Sequence, residues 1–505
     1  MNIVTEFTQV RASGCPWCLV VSYDPQATVR TLAAIRIPGL DDPSHVAWDL
    51  AAGHKTITGP DVDSELGEGQ STANKPYMLL QKAVELPPGT VLYIQVPSAE
   101  FWKNDLCVQA LANLRDVFKS SSRTVVLLST TGRLPEILAR DVPVLREELP
   151  TVEQLKEMGE KVLQGNEIKH TKGDLEQAAS FLRGMTLFAA ENALARKCLA
   201  DKIDMAGLRD SQRTQIEEGT GGALTFEREK WTFDDIGGMT AIKEFERKVL
   251  RNADVLVRID EMDKVITAAS TGAIADNTGT SQDTLRSLLT AIEDNRYLFQ
   301  LLVGVPGCGK TLLTICAGNT YDKLTLAADL GKCKSSLLGA SEAAIRQTLD
   351  TIKAIGGQRV LIVATANRLD TLPAELLSRA GACGIWFFDV PTPEEKANIW
   401  KIQRKAFGLQ EQELPDDTDW VGRDIRNACR TAKLLNVPLV EASVFTMKTG
   451  VVSRTLVAEA REKAESCGYL SVNTPGPYTR PKRTVSSTRQ IVGRATKTLA
   501  IGEQS

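Results

Sequence analysis

Short β-branched runs alternate with helical patterns from residue 15 to about residue 150, the pattern of an α/β layer structure. Val91-Leu-Tyr-Ile-Gln-Val96 and Thr124-Val-Val-Leu-Leu-Ser129 are nearly continuous apolar runs, so they read as buried parallel strands. The amphipathic stretch from Val108 to Lys119 lies between them, and a further strand-like run covers Leu19 to Tyr23. No phosphate loop accompanies these strands, and Val96 and Pro97 stand where a metal-binding carboxylate would end the first. Residues 1–150 are therefore either a degenerate relative of a nucleotide-binding fold or an unrelated α/β module.

From Pro150 the chain turns polar and helical, beginning at Thr151-Val-Glu-Gln with the residues of a capping box. A helical connector is expected over residues 151–225, with Gly219-Thr-Gly-Gly222 as a flexible joint near its end. A second α/β region follows over 226–392, and helical spacing returns from Pro393 to Lys405 and from Arg423 to Leu435. The last thirty residues, 476–505, contain Pro477, Pro481, Lys482, Arg483, Arg489 and Arg494 and read as a basic, poorly ordered tail.

Length and charge set bounds on this picture. At 505 residues the chain exceeds one hydrophobic core, so two or three domains are expected. Lys and Arg total 60 against 63 Asp and Glu, which leaves no whole-molecule field to steer the protein toward nucleic acid or an anionic membrane. Nucleic acid would have to be met locally, through the basic tail. The N-terminal run MNIVTEFTQVRASG lacks the pattern of a secretion signal, and no apolar run approaches the roughly 20 residues of a membrane span, so a cytoplasmic protein is expected. Ten cysteines show no framework spacing. Cys15-Pro-Trp-Cys18 alone has the spacing of a redox pair or half a zinc site, against the plainer reading of two packed thiols.

The strongest chemical signal is Gly304-Val-Pro306-Gly307-Cys308-Gly309-Lys310-Thr311, which follows the apolar run Phe299 to Val303 and precedes a helical stretch from Leu312 to Asn319. A strand that delivers a glycine-rich turn to a helix N-terminus makes a phosphate cradle of free N–H groups. Lys310 would reach the β- and γ-phosphates and Thr311 would ligate Mg²⁺, so ATP and magnesium are the expected ligands. Val255-Leu-Val-Arg-Ile259-Asp260-Glu261 has the form of a second strand ending in an acidic pair, Asp260 for the metal and Glu261 to polarise water. Val360-Leu-Ile-Val-Ala-Thr-Ala-Asn367 ends a third buried strand on an amide suited to orienting that water.

With these motifs together, the sequence resembles the AAA family of P-loop ATPases, and within it the uncharacterised AAA-domain ATPases of plastids, cyanobacteria and phages. Trp231-Thr-Phe-Asp-Asp-Ile-Gly-Gly-Met239, Leu372-Pro-Ala-Glu-Leu-Leu377 and Ile385-Trp-Phe-Phe-Asp-Val-Pro-Thr-Pro393 carry the likeness outside the phosphate loop. It implies a parallel P-loop sheet over 226–392, a helical lid over 393–475 and a homo-oligomeric, usually hexameric, ring that remodels an unidentified macromolecule. It assigns nucleotide contacts to Gly304, Pro306, Gly307, Cys308, Gly309, Lys310, Thr311 and Leu312, metal contacts to Thr311 and Asp260, and catalytic roles to Glu261, Asn367 and Arg379. Arg379 matches the first finger arginine, whereas the second falls on Ala382. Arg423 or Arg426 fits the lid arginine, and Leu337 and Leu338 stand where threading relatives place an aromatic. An ATP-gated scaffold with little turnover and a phage-type nucleic-acid loader are the rival functions.

One feature departs from the family. The acidic strand, in the block from Asp254 to Asn295, precedes the phosphate loop instead of following it. Either the sequence was rearranged in assembly or the core is permuted. In the family's spatial order 5-1-4-3-2, such a move lengthens two crossovers by one strand each, roughly 4.8 Å, without reversing their hand.

Overall fold

The computed structural model describes residues 3–36, 43–96, 99–130, 132, 134–199, 202–264, 266, 286, 289–290, 292–293, 297–332, 340–357, 359–368, 370–449 and 454–480. The first sheet contains β1 Trp17–Val21, β2 His45–Asp49, β3 Gly53–Thr58, β4 Val91–Gln95, β5 Thr124–Ser129 and β6 Val144–Arg146 in the order β3-β2-β4-β5-β1-β6. Only β2 and β3 pair antiparallel; the rest are parallel, with β4 beside β5 as their apolar runs predict. Helices α1 Ile3–Ala12 and α2 Pro25–Ala33 cover one face through Phe7, Val29 and Leu32. The other face takes α3 Asp105–Ser120 through Leu111, Leu114 and Phe118.

The strand expected over Leu19 to Tyr23 begins two residues earlier. Trp17 and Cys18 point to opposite faces of β1, and the Trp17 Nε1 donates to the Asp141 carbonyl at 3.2 Å. Cys18 is thereby sealed in the core, where burial pushes its thiol well above the ordinary range. Cys15 donates its thiol to the Trp17 carbonyl. No group of three or more His, Cys, Asp or Glu residues suited to a metal occurs among the described residues.

Four helices follow: α4 Val152–Gly165, α5 Lys172–Phe181, α6 Leu187–Lys197 and α7 Met205–Gly219. They share a core of Leu155, Leu163, Ala178, Leu194 and Leu208, with a small hairpin of β7 Cys198–Leu199 and β8 Lys202–Ile203 between the last two. Thr151 and Gln154 form the capping box that starts α4. The glycines after α7 make a turn into β9 Leu224–Phe226, so the expected boundary at 225 falls inside a strand.

That strand is the antiparallel edge of the second sheet, built with β10 Val255–Ile259, β11 Tyr297–Gly304, β12 Leu324–Ala328, β13 Val360–Ala366, β14 Ile385–Phe388 and β15 Leu470–Ser471. Their order is β15-β14-β11-β13-β10-β12-β9. Helices α8 Thr240–Val249 and α9 Lys310–Thr320 pack on one face with Leu256, Leu302 and Val363. On the other, α10 Ala340–Gly356 buries Ile345, Ile352 and Ile355 against Val257, Phe299 and Ile362. Alternate residues of each strand thus serve opposite faces, and this explains the continuous apolar runs. Tyr23 donates to Asp350 at 3.1 Å and Lys353 pairs with Glu148 at 2.6 Å, which ties the first sheet to α10.

After the short helix α11 Ala374–Arg379, the chain forms α12 Pro393–Phe407, α13 Gly422–Leu435 and α14 Arg454–Ser466. Trp400, Trp420, Ile425 and Cys429 give α12 and α13 a core of their own. The chain then returns to the sheet. β15 pairs with β14, the Tyr478 ring stacks edge-on against Phe387 with centroids 4.7 Å apart, and its hydroxyl donates to Asp389 at 2.6 Å. The expected tail therefore cannot start at 476, because a buried aromatic at 478 holds residues 476–480 on the folded body. Residues 481–505, with most of the basic charge assigned to the tail, lie outside the described residues. No described helix is long and apolar enough to cross a membrane.

Candidate functional site

β11 runs straight into the glycine-rich loop, and α9 starts at Lys310 directly after it. Two backbone positions need glycine. Gly304 has φ +133°, and a Cβ there would stand 2.2 Å from the Phe388 carbonyl of neighbouring β14. Gly309 caps α9 at φ +96°. Both conformations are strained for an L side chain. The turn leads into the start of α9, where the first N–H groups of a helix have no intrahelical partner and the positive end of the helix dipole lies.

Lys310 lies inside this arc and donates to the Gly304 and Val305 carbonyls at 2.9 and 3.0 Å. It is only 6 % exposed. Burial lowers its ammonium from the ordinary value near 10.5 to about 8. That corresponds to about 3 kcal/mol against the charged form, a penalty that an anion in the loop would offset. Cys308 faces inward, where burial pushes its thiol up to about 12, so it packs as an apolar group. Pro306, Gly307, Thr311 and Leu312 are half-buried around the loop.

The sheet register brings the acidic strand to the same place. β10 and β11 flank β13, with Ile259 opposite Ala364 and Val303 opposite Ala366. Continuing each ladder by one residue sets Asp260 level with Thr365 and Gly304 level with Asn367. Accordingly, Asp260 Oδ1 accepts from the Thr311 hydroxyl at 2.9 Å and from the Thr365 hydroxyl at 3.0 Å. Thr365 also accepts from the Glu261 N–H at 3.2 Å. A hydroxyl and a carboxylate in contact are hard oxygen donors that fit magnesium, which keeps several waters and uses few protein ligands. The Asp260 Oδ2 is engaged by Arg258, whose other terminal nitrogen pairs with Glu227 at 3.0 Å.

Comparison with known proteins places the chain beside AAA domain-containing proteins. A family model described as the N-terminal domain of SpoVK-like AAA ATPases matches residues 3–146, the first sheet and its helices. An uncharacterised AAA domain-containing protein, ycf46, of Guillardia theta is 21% identical over 448 residues, covering 80% of this chain and 80% of its own. Its counterpart in Trieres chinensis is 20% identical over 404 residues, covering 72% and 73%, and that of Pyropia yezoensis 22% over 345, covering 60% and 63%. By these matches the chain resembles AAA-type ATPases, the ycf46 family among them.

Other residues picked out by the AAA likeness are more dispersed. Arg423 sits at the loop: its N–H donates to the Gly307 carbonyl at 3.2 Å, and its side chain borders that glycine. Arg426 instead stacks over Trp231, 5.4 Å from the ring centroid. Asn367 is half-buried one residue past β13, while the hydroxyl that reaches Asp260 belongs to Thr365, two positions earlier. Glu261 has φ +54° and pairs with Lys264 at 2.7 Å. Arg379 ends α11 and pairs with Glu293 of the same chain. Leu337 and Leu338 lie outside the described residues. Thr365 and Arg258 were missed by motif reading, although an arginine inside Val255-Leu-Val-Arg-Ile259 is itself a signal, since a cation in a buried strand needs a carboxylate.

Proposed function

We propose that the chain binds Mg·ATP at Gly304 to Leu312 and hydrolyses it. The observation that carries this reading is the 2.9 Å bond between the Thr311 hydroxyl and Asp260, beside the Lys310 ammonium at a helix N-terminus. Loop N–H groups and Lys310 would take the phosphates, with Arg423 closing the loop from the C-terminal helices. Thr311 and Asp260 would hold magnesium, which supplies charge neutralisation at the phosphates. Glu261 would accept the proton of the attacking water once Lys264 releases it, and Asn367 would orient that water.

On this reading the strand ending at Asp260 is a family strand moved ahead of the phosphate loop. The sheet position of β10, between β13 and β12, supports it, because spatial neighbours make the site whatever their chain order. Residues 1–150 act as an N-terminal domain, 151–225 as a connector, 226–392 as the ATPase core and 393–475 as a lid. Arg379 would leave Glu293 to reach a neighbouring subunit's nucleotide in a homo-oligomeric ring, and turnover would remodel a partner macromolecule. Balanced charge, and thiols that are free among the described residues, suit the cytoplasm.

A scaffold with little turnover is the second reading, favoured by the engagement of Glu261 with Lys264 and of Arg379 with Glu293. Phosphate release from ATP and Mg²⁺ by the full chain separates them. Turnover that disappears in Glu261→Gln supports hydrolysis, whereas ATP binding with no release above background supports the scaffold.

A further inference from the structure

Arg258 is the one feature of the acidic strand that the phosphate chemistry leaves unused. Asp260 directly follows β10 and lies two positions beyond Arg258, so strand alternation directs the guanidinium and the carboxylate to the same side of the sheet. The Arg258 side chain is 14 % exposed and Glu227 11 %. At that depth an arginine is costly unless paired, and here two carboxylates take its two terminal nitrogens. Among the described residues its Nε has no hydrogen-bond partner, so there the group is held at its tip. Glu227 is the fixed partner, because its N–H donates to the Thr325 carbonyl at 3.0 Å and continues the β9 to β12 pairing. Asp260, by contrast, already has Oδ1 occupied by two hydroxyls, which leaves Oδ2 for the arginine.

We propose that Arg258 is a built-in cation that occupies Asp260 in place of magnesium and retreats onto Glu227 when Mg·ATP enters. This rests on the reading that Asp260 serves the metal. Two consequences of opposite sign follow. Without the arginine, Asp260 stands uncompensated beside incoming phosphates, so ATP without metal binds poorly while Mg·ATP does not suffer. Without the Glu227 charge, the arginine has nowhere to retreat and competes harder with magnesium for the carboxylate.

Titration of the full chain with a fluorescent ATP analogue, in EDTA and across free Mg²⁺ concentrations, tests both. Arg258→Met should raise the ratio of metal-free to magnesium-bound Kd about tenfold over wild type, the scale of one uncompensated charge at contact distance in a partly buried site. Arg258→Lys should restore most of that ratio, which a packing role would not predict. Glu227→Gln should raise the half-saturating Mg²⁺ about threefold or more. A wild-type ratio in folded Arg258→Met, or unchanged half-saturation in Glu227→Gln, overturns the proposal. Should Arg258→Met fail to fold by circular dichroism, Glu227→Gln decides alone. A wild-type chain that binds no ATP in either condition removes the phosphate-loop reading itself, and this inference with it.

Discussion

The Thr311 hydroxyl donates to Asp260 Oδ1 at 2.9 Å although the two residues are 51 positions apart and the carboxylate comes first in the chain. The contact is set by the sheet. β13 lies between β10 and β11, and the three parallel strands end within three residues of one another. A residue just past β10 and one in the first turn after the β11 loop are therefore brought together whichever strand is made first. In an open parallel sheet the site forms at the carboxyl ends of the strands, and connectivity matters only through the reach of the crossovers.

Replacing Glu261 with Gln should lower kcat for ATP by about 100-fold or more while leaving the ATP Kd within about threefold, as expected for loss of a general base with little loss of binding. Phosphate release and equilibrium titration measure the two effects. Undiminished turnover would show that another group activates the water.

Thr365→Val keeps the shape of the side chain and removes the hydroxyl that links Asp260 to the Glu261 backbone. Leaving those groups short of a partner in a half-buried site should cost about 1–3 kcal/mol of unfolding free energy. Urea unfolding reads the stability change, and kcat should fall more than KM rises, because the acidic pair loses its support.

Binding of ATP should weaken as pH rises through about 8. Burial holds the free Lys310 ammonium near that value, and phosphates raise it, so between the free and bound values affinity falls by up to about tenfold per pH unit. Calorimetry near pH 8.5 in buffers of different ionisation enthalpy should record proton uptake on binding. The sign for stability is opposite. A lysine whose folded value lies below its unfolded one destabilises the free protein fully below pH 8, and that penalty is relieved as pH rises toward 10.5.

Gly304→Ala should destabilise the whole second sheet, not only the loop. The added Cβ meets the Phe388 carbonyl at 2.2 Å with φ at +133°, so β11 and β14 must separate. Strain in that region is worth about 1–3 kcal/mol and the lost strand contact adds to it. An alanine variant with wild-type unfolding would mean that the two strands tolerate the shift.

Truncation separates the two parts of the C-terminal segment. Removing residues 476–505 deletes Tyr478 from Phe387 and Asp389 and should cost about 3–5 kcal/mol, the range for loss of a buried aromatic. Tyr478→Ala in the full chain should reproduce most of that loss in a urea titration.

Local chemistry made much of this protein legible. The capping box at Thr151, the phosphate loop between β11 and α9, and the paired strands β4 and β5 each follow from short runs whose residues satisfy one another nearby. Where distant residues compete for the same space, the sequence misleads or is silent. Proline and basic residues near 476 suggested a free tail, but Tyr478 finds a core 91 residues away in Phe387. The amide at Asn367 drew attention while Thr365 holds the acidic pair, because ladder register decides which side chain of a strand is level with Asp260.

By itself, then, the sequence determined that a glycine-rich turn would join a buried strand to a helix, and so that phosphate would find N–H groups and Lys310 there. Whether an acidic strand placed ahead of that turn would meet it was decided by tertiary structure alone. Hydrogen-bond pairing across a sheet depends on which strands lie side by side, and that is set by burying both faces of β13 between helices rather than by any residue near Asp260.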